Sequence, residues 1–533
     1  MSQRALSNRP RFRCAFRVKS LRAEARWHAI AVLAVAILAI GGCAKRENDA
    51  RAQRDGNAAS TGAGTSAASS TTHGAGTSTA SSNAQGATTP AATVGLASSN
   101  EPTISPADVT TRPKLVDRIL IIGLDGATWR LMAPLLDQGR MPNVKRLADR
   151  GMFYELATLE PTLSPAIWTT IATGRMPSEH GILGFDGVPG ETMTTLPNTR
   201  MRRVKAYWNI LGDFARTTGT VCWWVTWPTE DVGAGSYQVS DRVPYNRQEA
   251  AIGNTTLSPQ DAQPTSLLEK LSPLVLRPDE IDQAAVTRFL KFSEAETEKL
   301  VRAAPYKVGD FISEFKYVYQ SDRSILNMGL ELLRSNPVDV AAVYFSGIDA
   351  VSHLYWHWTF PQEFPGYQIP QEHIQRLKDV IPEYYVLMDE YIGQLVAAAG
   401  PNTMVMILSD HGFGGTGRLP WSGGHDRITK GAPIAPPGVL IVSGPHIGHS
   451  NTPGKAHVLD IAPTLLYLMG LPASKEMTGR VLMDAMAAGS PAEFPRVDSY
   501  ERIGRPRQIG EMVSEPEADA ERIERLRALG YVK

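Results

Sequence analysis

Seven side chains that can bind a metal ion or act as a nucleophile are spread widely along this chain of 533 residues. Most of them follow short apolar segments, at the points where strands are expected to end. Carboxylates and imidazoles are ligands of divalent metals such as zinc, and a hydroxyl between two adjacent metals can act as a nucleophile. The pattern therefore predicts a bimetallic hydrolase site. Its candidate residues are Asp125, Ser164, Asp349, His353, Asp410, His411 and His425.

Two of these candidates, Asp349 and His353, are four residues apart, and this spacing places both side chains on one face of a helix. His357 lies one further turn along the same face, so the pattern alone allows either histidine to be the ligand. Another histidine, His180, follows a predicted helix. We interpret His180 as a structural residue rather than a catalytic one.

These side chains need a frame that positions them, and five short apolar segments rich in valine and isoleucine predict one. Continuous apolar segments are typical of a parallel sheet that is covered on both faces. Helical patterns separate most of the segments, which predicts a three-layer α/β/α sandwich with a mostly parallel central sheet. Active sites of such sheets lie beyond the carboxyl ends of the strands, where Asp125, Asp349 and Asp410 fall. The five segments are residues 119–124, 220–225, 338–345, 403–408 and 439–443.

The order of these motifs resembles that of the alkaline phosphatase superfamily, and most closely its type I phosphodiesterase/nucleotide pyrophosphatase branch. The segment PTLSPAIWTTIATGRMPSEHGI at 161–182 is similar to the nucleophile segment of that branch. The segments GIDAVSH at 347–353, SDHGF at 409–413 and GH at 424–425 are similar to its metal-binding motifs. A late helix of these enzymes resembles VLDIAPTLLYLMG at 458–470. The resemblance extends over residues 116–485 and implies an alkaline phosphatase-like fold.

The resemblance also implies a site of two zinc ions and a seryl nucleophile. A bound metal lowers the pKa of a hydroxyl, so Ser164 would attack phosphorus and form a covalent phosphoseryl intermediate. Ser164 begins a predicted helix at 165–172, whose N-terminal dipole would favour the phosphate charge. One zinc ion would be bound by Asp349, His353 and His425, and the other by Asp125, Asp410, His411 and the Oγ of Ser164.

The implied activity is hydrolysis of a small-molecule phosphoric ester, with diesters slightly favoured over monoesters. Many pyrophosphatases of this branch carry threonine at the position of Ser164, and an asparagine three residues later, where this chain has Ile167. The substrate class therefore stays open. A phosphotransferase acting on an alcohol of an envelope lipid or glycan is one alternative, and a non-catalytic binding protein is another. A sulfatase is disfavoured because 164–168 lacks the Cys/Ser-x-Pro-x-Arg sequence of that class.

Four tryptophans could stack on a nucleotide base or line an apolar leaving-group pocket. We interpret them as core residues, because tryptophans in such numbers are more often buried in a core than used for binding. They are Trp168, Trp223, Trp224 and Trp227.

The N-terminus predicts export and anchoring. Residues 1–42 carry a basic region and a short apolar run, as in an export signal. The sequence IGGC at 40–43 resembles the processing box of bacterial lipoproteins, which implies cleavage before Cys43 and a lipid anchor on its thiol. An uncleaved N-terminal anchor is the alternative. Either outcome predicts an exported, membrane-anchored protein of the bacterial cell envelope, facing the periplasm.

Composition divides the rest of the chain. Residues 43–112 are rich in Ser, Thr, Ala and Gly, which predicts a flexible tether. A catalytic domain is expected at 113–490, with an inserted helical cap at about 230–335, and a C-terminal extension with a short helix at 491–533. The chain has 54 basic and 54 acidic residues, so its net charge favours no nucleic-acid partner. Its oligomeric state stays open.

Overall fold

The structure is a computed structural model that describes most of the chain from Ile104 onward. The described residues belong to one compact unit, Pro102–Lys533. Cys43 and His425 lie outside the described residues, so the signal segment, the tether and the lipid anchor stay predictions. No helix in the described ranges is long and apolar enough to cross a membrane. The structure describes 104–185, 196–246, 257–277, 281, 283–293, 295–296, 311–415, 423–424, 436–509, 520, 523–524 and 526.

Nine strands form one large sheet in the order β12-β2-β11-β8-β1-β7-β3-β5-β6, and two short pairs, β9 with β10 and β4 with β13, lie outside it. All five predicted apolar segments are strands of the large sheet. The strands are β1 (Arg118–Leu124), β2 (Met152–Ala157), β3 (Thr218–Trp223), β4 (Glu230–Asp231), β5 (Tyr237–Ser240), β6 (Ala262–Gln263), β7 (Val340–Phe345), β8 (Thr403–Leu408), β9 (Gly414–Gly415), β10 (Gly423–Gly424), β11 (Gly438–Ser443), β12 (Gly454–His457) and β13 (Gln508–Ile509).

The sheet is mostly parallel, and β1 lies near its middle. β8, β1, β7, β3 and β5 run in the same direction. β11 is antiparallel to both of its neighbours, β8 and β2, so the predicted segment 439–443 is a strand that runs against the parallel majority. Its continuous apolar sequence reports burial on both faces, which an antiparallel strand in the middle of a covered sheet shares with a parallel one.

Helices cover both faces of the sheet. Ile119 and Ile121 of β1 belong to the core that also contains side chains of the helices Ser164–Thr173, Tyr207–Asp213 and Ile461–Leu468. The alternate residues point to the opposite face, where Phe345 of β7 contacts Tyr391 of the helix Val380–Ala399 at a ring distance of 6.0 Å. The predicted three-layer α/β/α sandwich is confirmed. The helices are α1 (Trp129–Asp137), α2 (Pro142–Ala148), α3 (Ser164–Thr173), α4 (Pro177–His180), α5 (Tyr207–Asp213), α6 (Val243–Asn246), α7 (Leu268–Leu271), α8 (Gln283–Phe289), α9 (Phe311–Ser335), α10 (Gly347–Thr359), α11 (Gln371–Leu377), α12 (Val380–Ala399) and α13 (Ile461–Leu468).

The stretch at about 230–335, predicted as a helical cap, also contributes to the sandwich itself. β5 extends the sheet beside β3, and β6 pairs with β5. The long helix α9 packs against β7, α10 and α12 and so belongs to a helical layer. Residues 247–256 and 297–310 lie outside the described part, and a separate cap stays a prediction. Short strands with polar residues such as Gln238 carry little sequence signal, which is why they are missed.

A buried ion cluster joins the C-terminal part of the chain to the fold. Arg507 Nε donates to Glu230 Oε1 at 2.8 Å, and another nitrogen of Arg507 donates to the backbone oxygen of Thr199 at 2.8 Å. Arg202 donates to Glu230 Oε2, and Trp208 Nε1 donates to the same oxygen at 3.0 Å. Glu230, which is fully buried, therefore has two guanidinium partners. Further along, the described residues 520, 523, 524 and 526 are helical.

Candidate active site

The end of β1 places Asp125 between the ends of β7 and β8. The N–H of Asp125 donates to the backbone oxygen of Phe345 at 3.0 Å, which continues the β1–β7 pairing for one more residue. The chain then turns at Gly126, where φ is +66°. The N–H of Gly126 donates to Asp410 Oδ1 at 3.3 Å, so this turn joins the ends of β1 and β8. The Asp125 side chain is buried at this junction.

Asp410 and His411 follow β8 and face Asp125. His411 Nδ1 lies 3.0 Å from the carbonyl oxygen of Gly412, a contact in which Nδ1–H donates and the lone pair of Nε2 is left for the site. His411 Nε2 lies 3.4 Å from Asp125 Oδ1 and 3.2 Å from Asp410 Oδ2. One ligand atom from each of Asp125, Asp410 and His411 lies within 4.8 Å of the others, and all three side chains are buried.

Ser164 joins this group as the first residue of α3. Its Oγ lies 3.4 Å from Asp125 Oδ1 and 3.3 Å from His411 Nε2, and the residue is only 1% exposed. Pro165 occupies the first turn, where its missing N–H removes no helical hydrogen bond. The N–H groups of Ala166 and Ile167 both donate to the carbonyl oxygen of Leu163. The helix therefore offers its N-terminal dipole to Ser164, while these two N–H groups are already engaged.

Asp349 and His353 form a second group on the first turns of α10. His353 Nε2 lies 3.5 Å from Asp349 Oδ2, and the His353 ring meets the edge of Phe413 at 4.9 Å. The loop after β1 approaches this pair closely, because a Cβ built on Gly126 would lie 2.7 Å from Asp349 Oδ1. The turn at Gly126 thus touches Asp410 on one side and Asp349 on the other.

The structure distinguishes between the two candidate histidines of α10. His353 lies beside Asp349, whereas the His357 ring packs on Trp358 at 3.9 Å and near Phe364 at 6.2 Å. Burial lowers the pKa of His357 to about 4, so its ring is neutral at physiological pH. The other expected ligand of this group, His425, lies outside the described residues, and the Gly423–Gly424 strand before it lies against α10.

His180 has a structural environment. It is fully buried, its Nε2 lies 3.0 Å from Thr170 Oγ1, and its Nδ1 accepts from the N–H of Ile182 at 3.2 Å. Burial lowers the pKa of His180 to about 3, which keeps the ring neutral. Both ring nitrogens are thus engaged within the fold, in agreement with our interpretation of this residue.

The charges of the site repel one another. Burial raises the pKa of Asp349 well above its usual range, and the charge of Asp125 raises it further. Burial likewise raises the pKa of Asp410, with further contributions from Asp125 and Asp349. Burial lowers the pKa of His411, which favours the neutral imidazole that a metal binds. These buried carboxylates therefore favour a nearby positive charge.

The donor set fits a divalent metal. Asp410 Oδ2 is buried and accepts no hydrogen bond from the described residues, although it lies near His411. Carboxylate oxygens and neutral imidazole nitrogens are common zinc ligands. Asp125, Asp410, His411 and the Oγ of Ser164 would hold one ion, and Asp349 and His353 would contribute to a second.

Residues that the sequence does not identify as polar partners of the ligands support this site. Trp168 and Tyr344 both donate hydrogen bonds to Asp125 Oδ2. Asp322 of α9 accepts from Tyr384 at 2.9 Å and from the backbone at the start of α10, the helix of Asp349. Sequence signals for these contacts are weak, because each joins residues far apart in the chain, from 43 positions between Trp168 and Asp125 to 219 between Tyr344 and Asp125.

The four tryptophans are mainly core residues, as we interpret them from the sequence. Trp168, Trp223 and Trp227 are buried, whereas Trp224 is partly buried. Trp168 has a polar contact with the site in addition to its packing. Ile167 is also fully buried in the core, and its aliphatic side chain has no hydrogen-bond donor for a phosphoryl group.

Comparison with solved structures finds several chains at low sequence identity. BT1596, a 2-O GAG sulfatase, is 15% identical with a TM-score of 0.44, over 71% of this chain and 76% of its own. Wild-type alkaline phosphatase PafA is 13% identical with a TM-score of 0.41, over 71% and 100%. Murine ectonucleotide pyrophosphatase / phosphodiesterase 5 is 11% identical with a TM-score of 0.41, over 69% and 100%. At these scores the likenesses carry no functional argument.

The family assignment rests on sequence. Comparison with curated proteins gives no match. The family described as type I phosphodiesterase / nucleotide pyrophosphatase matches residues 119–420, more than half of the chain, from β1 past β9. This match supports a phosphoryl or sulfuryl hydrolase and confirms the resemblance stated from the motifs. The chain therefore belongs to the type I phosphodiesterase/nucleotide pyrophosphatase family.

Proposed function

We propose that this protein hydrolyses phosphoric esters with Ser164 as nucleophile and two zinc ions as cofactors. The observation that carries the proposal is the position of Ser164 Oγ, 3.4 Å from Asp125 Oδ1 and 3.3 Å from His411 Nε2, in a group of buried acids and histidines. Family membership supports the reaction class. The metal ligands proposed are Asp125, Asp349, His353, Asp410, His411 and, outside the described residues, His425.

The chain prepares Ser164 for attack on phosphorus. The Ser164 hydroxyl donates to Asp125 Oδ1, which fixes its direction, and the dipole of α3 favours negative charge on Oγ. When bound, zinc supplies Lewis acidity that lowers the hydroxyl pKa and offsets negative charge on the phosphoryl group. Oγ would lose its proton and form a bond to phosphorus while the bond between phosphorus and the ester oxygen breaks, and that oxygen would take up a proton and leave as an alcohol. Water would then add to phosphorus as the bond from Oγ to phosphorus breaks, so that Oγ regains a proton and the phosphate, or from a diester the phosphate monoester, is released.

The residues that follow Ser164 bear on the choice of substrate. The buried side chain of Ile167 gives no polar contact to the non-bridging oxygens, and the N–H groups of Ala166 and Ile167 are engaged. We propose a diester before a monoester because the family match is to phosphodiesterases and pyrophosphatases. A phosphotransferase would use the same phosphoseryl intermediate with an alcohol in place of water.

The decisive experiment measures zinc content and turnover together. Zinc-reconstituted protein is assayed with bis-p-nitrophenyl phosphate, p-nitrophenyl phosphate and p-nitrophenyl sulfate, with and without an acceptor alcohol. Ser164→Ala should lower turnover of the phosphate esters at least about a thousand-fold. Thr173→Ala is the control, since Thr173 lies at the far end of the same helix, where its hydroxyl donates to the carbonyl of Thr169 and accepts from the N–H of Arg175 at 3.2 Å. Less than one zinc per chain, or undiminished turnover by Ser164→Ala, would refute the proposal.

We further propose that a lipid on Cys43 anchors the protein in the cell envelope, on the periplasmic side. The support is the IGGC sequence at 40–43 after a short apolar run. Cys43→Ala should move the protein from the membrane fraction to the soluble fraction. Continued membrane attachment of this variant would contradict a lipid anchor at this position.

A further inference from the structure

The two oxygens of Asp125 have different surroundings. Oδ1 lies 3.4 Å from Ser164 Oγ and 3.4 Å from His411 Nε2. Oδ2 faces the other way and accepts two hydrogen bonds, one from Trp168 Nε1 at 3.1 Å and one from the Tyr344 hydroxyl. One oxygen of the carboxylate thus lies near Ser164 and His411, and the other contacts the aromatic side chains of Trp168 and Tyr344.

The side chain of Trp168 is held in place by packing against other aromatic residues. Its ring meets Trp223 at 4.9 Å and Tyr344 at 5.0 Å, in both cases edge to face. Its backbone oxygen accepts from Trp223 Nε1 at 3.2 Å. Gly123 of β1 leaves the space that the ring needs, because a Cβ at this position would lie 2.9 Å from Trp168 Cη2. The indole N–H therefore has a fixed direction toward Asp125.

Tyr344 is oriented by a third aromatic residue. Trp224 Nε1 donates to the Tyr344 hydroxyl oxygen at 2.7 Å. An indole N–H can only donate, so this contact uses the oxygen of Tyr344 as an acceptor and leaves its hydrogen for Asp125. The two hydrogen bonds therefore run in one direction: Trp224 donates to Tyr344, and Tyr344 donates to Asp125.

These donors are neutral. Hydrogen bonds from indole and phenol groups stabilise a carboxylate without supplying a positive charge, whereas an arginine at the same place would neutralise it. Trp168 and Tyr344 therefore orient the carboxylate of Asp125 without competing with a cation on the side of Oδ1. Outer groups that orient metal ligands are a general requirement for tight metal binding.

We propose that Trp168 and Tyr344 are positioning residues of the zinc site: they hold Asp125 Oδ2 so that Asp125 binds zinc through Oδ1 alone. Trp224 contributes through Tyr344. The inference rests on the proposed function, because it assumes that Asp125 is a zinc ligand.

The test measures zinc affinity by competition with a chelator, on the full folded chain. Tyr344→Phe and Trp168→Phe each remove one donor to Asp125. Tyr207→Phe is the control for the tyrosine, since its buried hydroxyl has no hydrogen-bond partner among the described residues. Trp208→Phe is the control for the tryptophan, because its indole also donates to a buried carboxylate, that of Glu230 at 3.0 Å.

Each of the two site variants should bind zinc roughly 10- to 100-fold more weakly than the wild type, and the controls should bind as the wild type does. Saturating zinc should restore most of the kcat of Tyr344→Phe, which a purely structural defect would not allow. Trp224→Phe, at a partly buried position, should weaken binding less and remains informative if Trp168→Phe does not fold.

The outcomes separate this inference from the proposed function. Wild-type protein that binds no zinc would refute the proposed function and, with it, any positioning of a zinc ligand. Wild-type protein that binds zinc, with site variants that bind it equally tightly and fold as the controls do, would refute the inference alone. Weakened binding by both controls would also refute it, since the effect would then belong to the core in general.

Discussion

Two groups of buried carboxylates in this molecule differ in the charges that surround them. Burial alone would raise the pKa of Glu230, but the charges of Arg202 and Arg507 and the hydrogen bonds from Trp208 and Arg507 hold it below its usual value. At the candidate active site, burial raises the pKa of Asp349 and Asp410, and the neighbouring acids raise it further. Both groups are buried, and among the residues that the structure describes only the first contains its own counter-charges.

The difference separates a structural cluster from a functional one. Where guanidinium groups neutralise an acid, residues of the folded chain itself offset the free-energy cost of burying the charge. Where buried acids lie close to one another and to neutral histidines, their repulsion destabilises the metal-free protein, and a bound divalent cation would relieve it. The buried charge of the first group should therefore matter for stability, and that of the second for binding.

The largest effect is expected at Glu230. Glu230→Gln leaves Arg202 and Arg507 buried without the carboxylate that both of them contact, so the free energy of unfolding should fall by about 3–5 kcal/mol. Urea denaturation measures this loss, and zinc affinity should be unchanged. Glu372→Gln is the control, because it removes an exposed ion pair with Arg376 and should cost less than about 1 kcal/mol. Equal losses of unfolding free energy in the two variants would show that Glu230 stabilises the fold no more than an exposed ion pair does.

Asp410→Asn should lower zinc affinity and leave the stability of the metal-free protein unchanged, the reverse of the result expected for Glu230→Gln. The amide keeps an acceptor for the N–H of Gly126 but removes one negative charge from the group. Zinc affinity should fall at least about 100-fold, or about 2.7 kcal/mol, while the metal-free protein loses no stability because repulsion decreases. A chelator competition and a urea titration of the metal-free protein measure both quantities. A metal-free variant as unstable as Glu230→Gln would show that Asp410 is structural.

The pH dependence of stability should follow Glu230. Its folded pKa lies below the ordinary value of 4.5, so its contribution to stability is present above that pH and is lost as pH falls through the folded pKa. The difference in unfolding free energy between wild type and Glu230→Gln should therefore shrink below about pH 4. Urea titrations from neutral to acidic pH measure it. A constant difference would mean that the pKa of Glu230 is not lowered.

The smallest effect concerns the turn after β1. Gly126→Ala and Gly139→Ala both place alanine at positive φ, +66° and +72°, and each should cost roughly 1 kcal/mol of stability. Only the first brings a Cβ to 2.7 Å from Asp349 Oδ1, whereas nothing lies within 4 Å of the second. Gly126→Ala alone should therefore lower zinc stoichiometry and turnover. Equal turnover in both variants would show that Asp349 can move without consequence.

The sequence predicts the middle of the fold well and its edges poorly. Segments such as 119–124 and 403–408 are strands, because continuous burial on two faces leaves a continuous apolar sequence. Strand direction is not contained in that signal, and 439–443 runs antiparallel. β2 contains Glu155, and β12 is the four-residue segment Gly454–His457, so neither has a clear pattern. Sheet edges meet water and tolerate mixed residues.

At the candidate site, motif order predicts the ligating side chains, and the structure adds their supports. Asp125, Ser164 and His411 come together although they lie far apart in the chain. The polar roles of Trp168 and Tyr344 have no sequence signal, because a buried aromatic residue with a specific hydrogen bond has the same composition as one without it. Only the three-dimensional contact distinguishes them.

The middle position of β1 also affects how the chain folds. Ile119 pairs with Val340, and Arg118 pairs with Thr403, so both neighbours of β1 come from much later in the chain. Contacts of such long sequence separation require large loops to close first, which slows folding. Until then both edges of this apolar strand are open to pairing with other chains. The strand that positions Asp125 should thus be an early aggregation hazard, and refolding yield should fall as protein concentration rises.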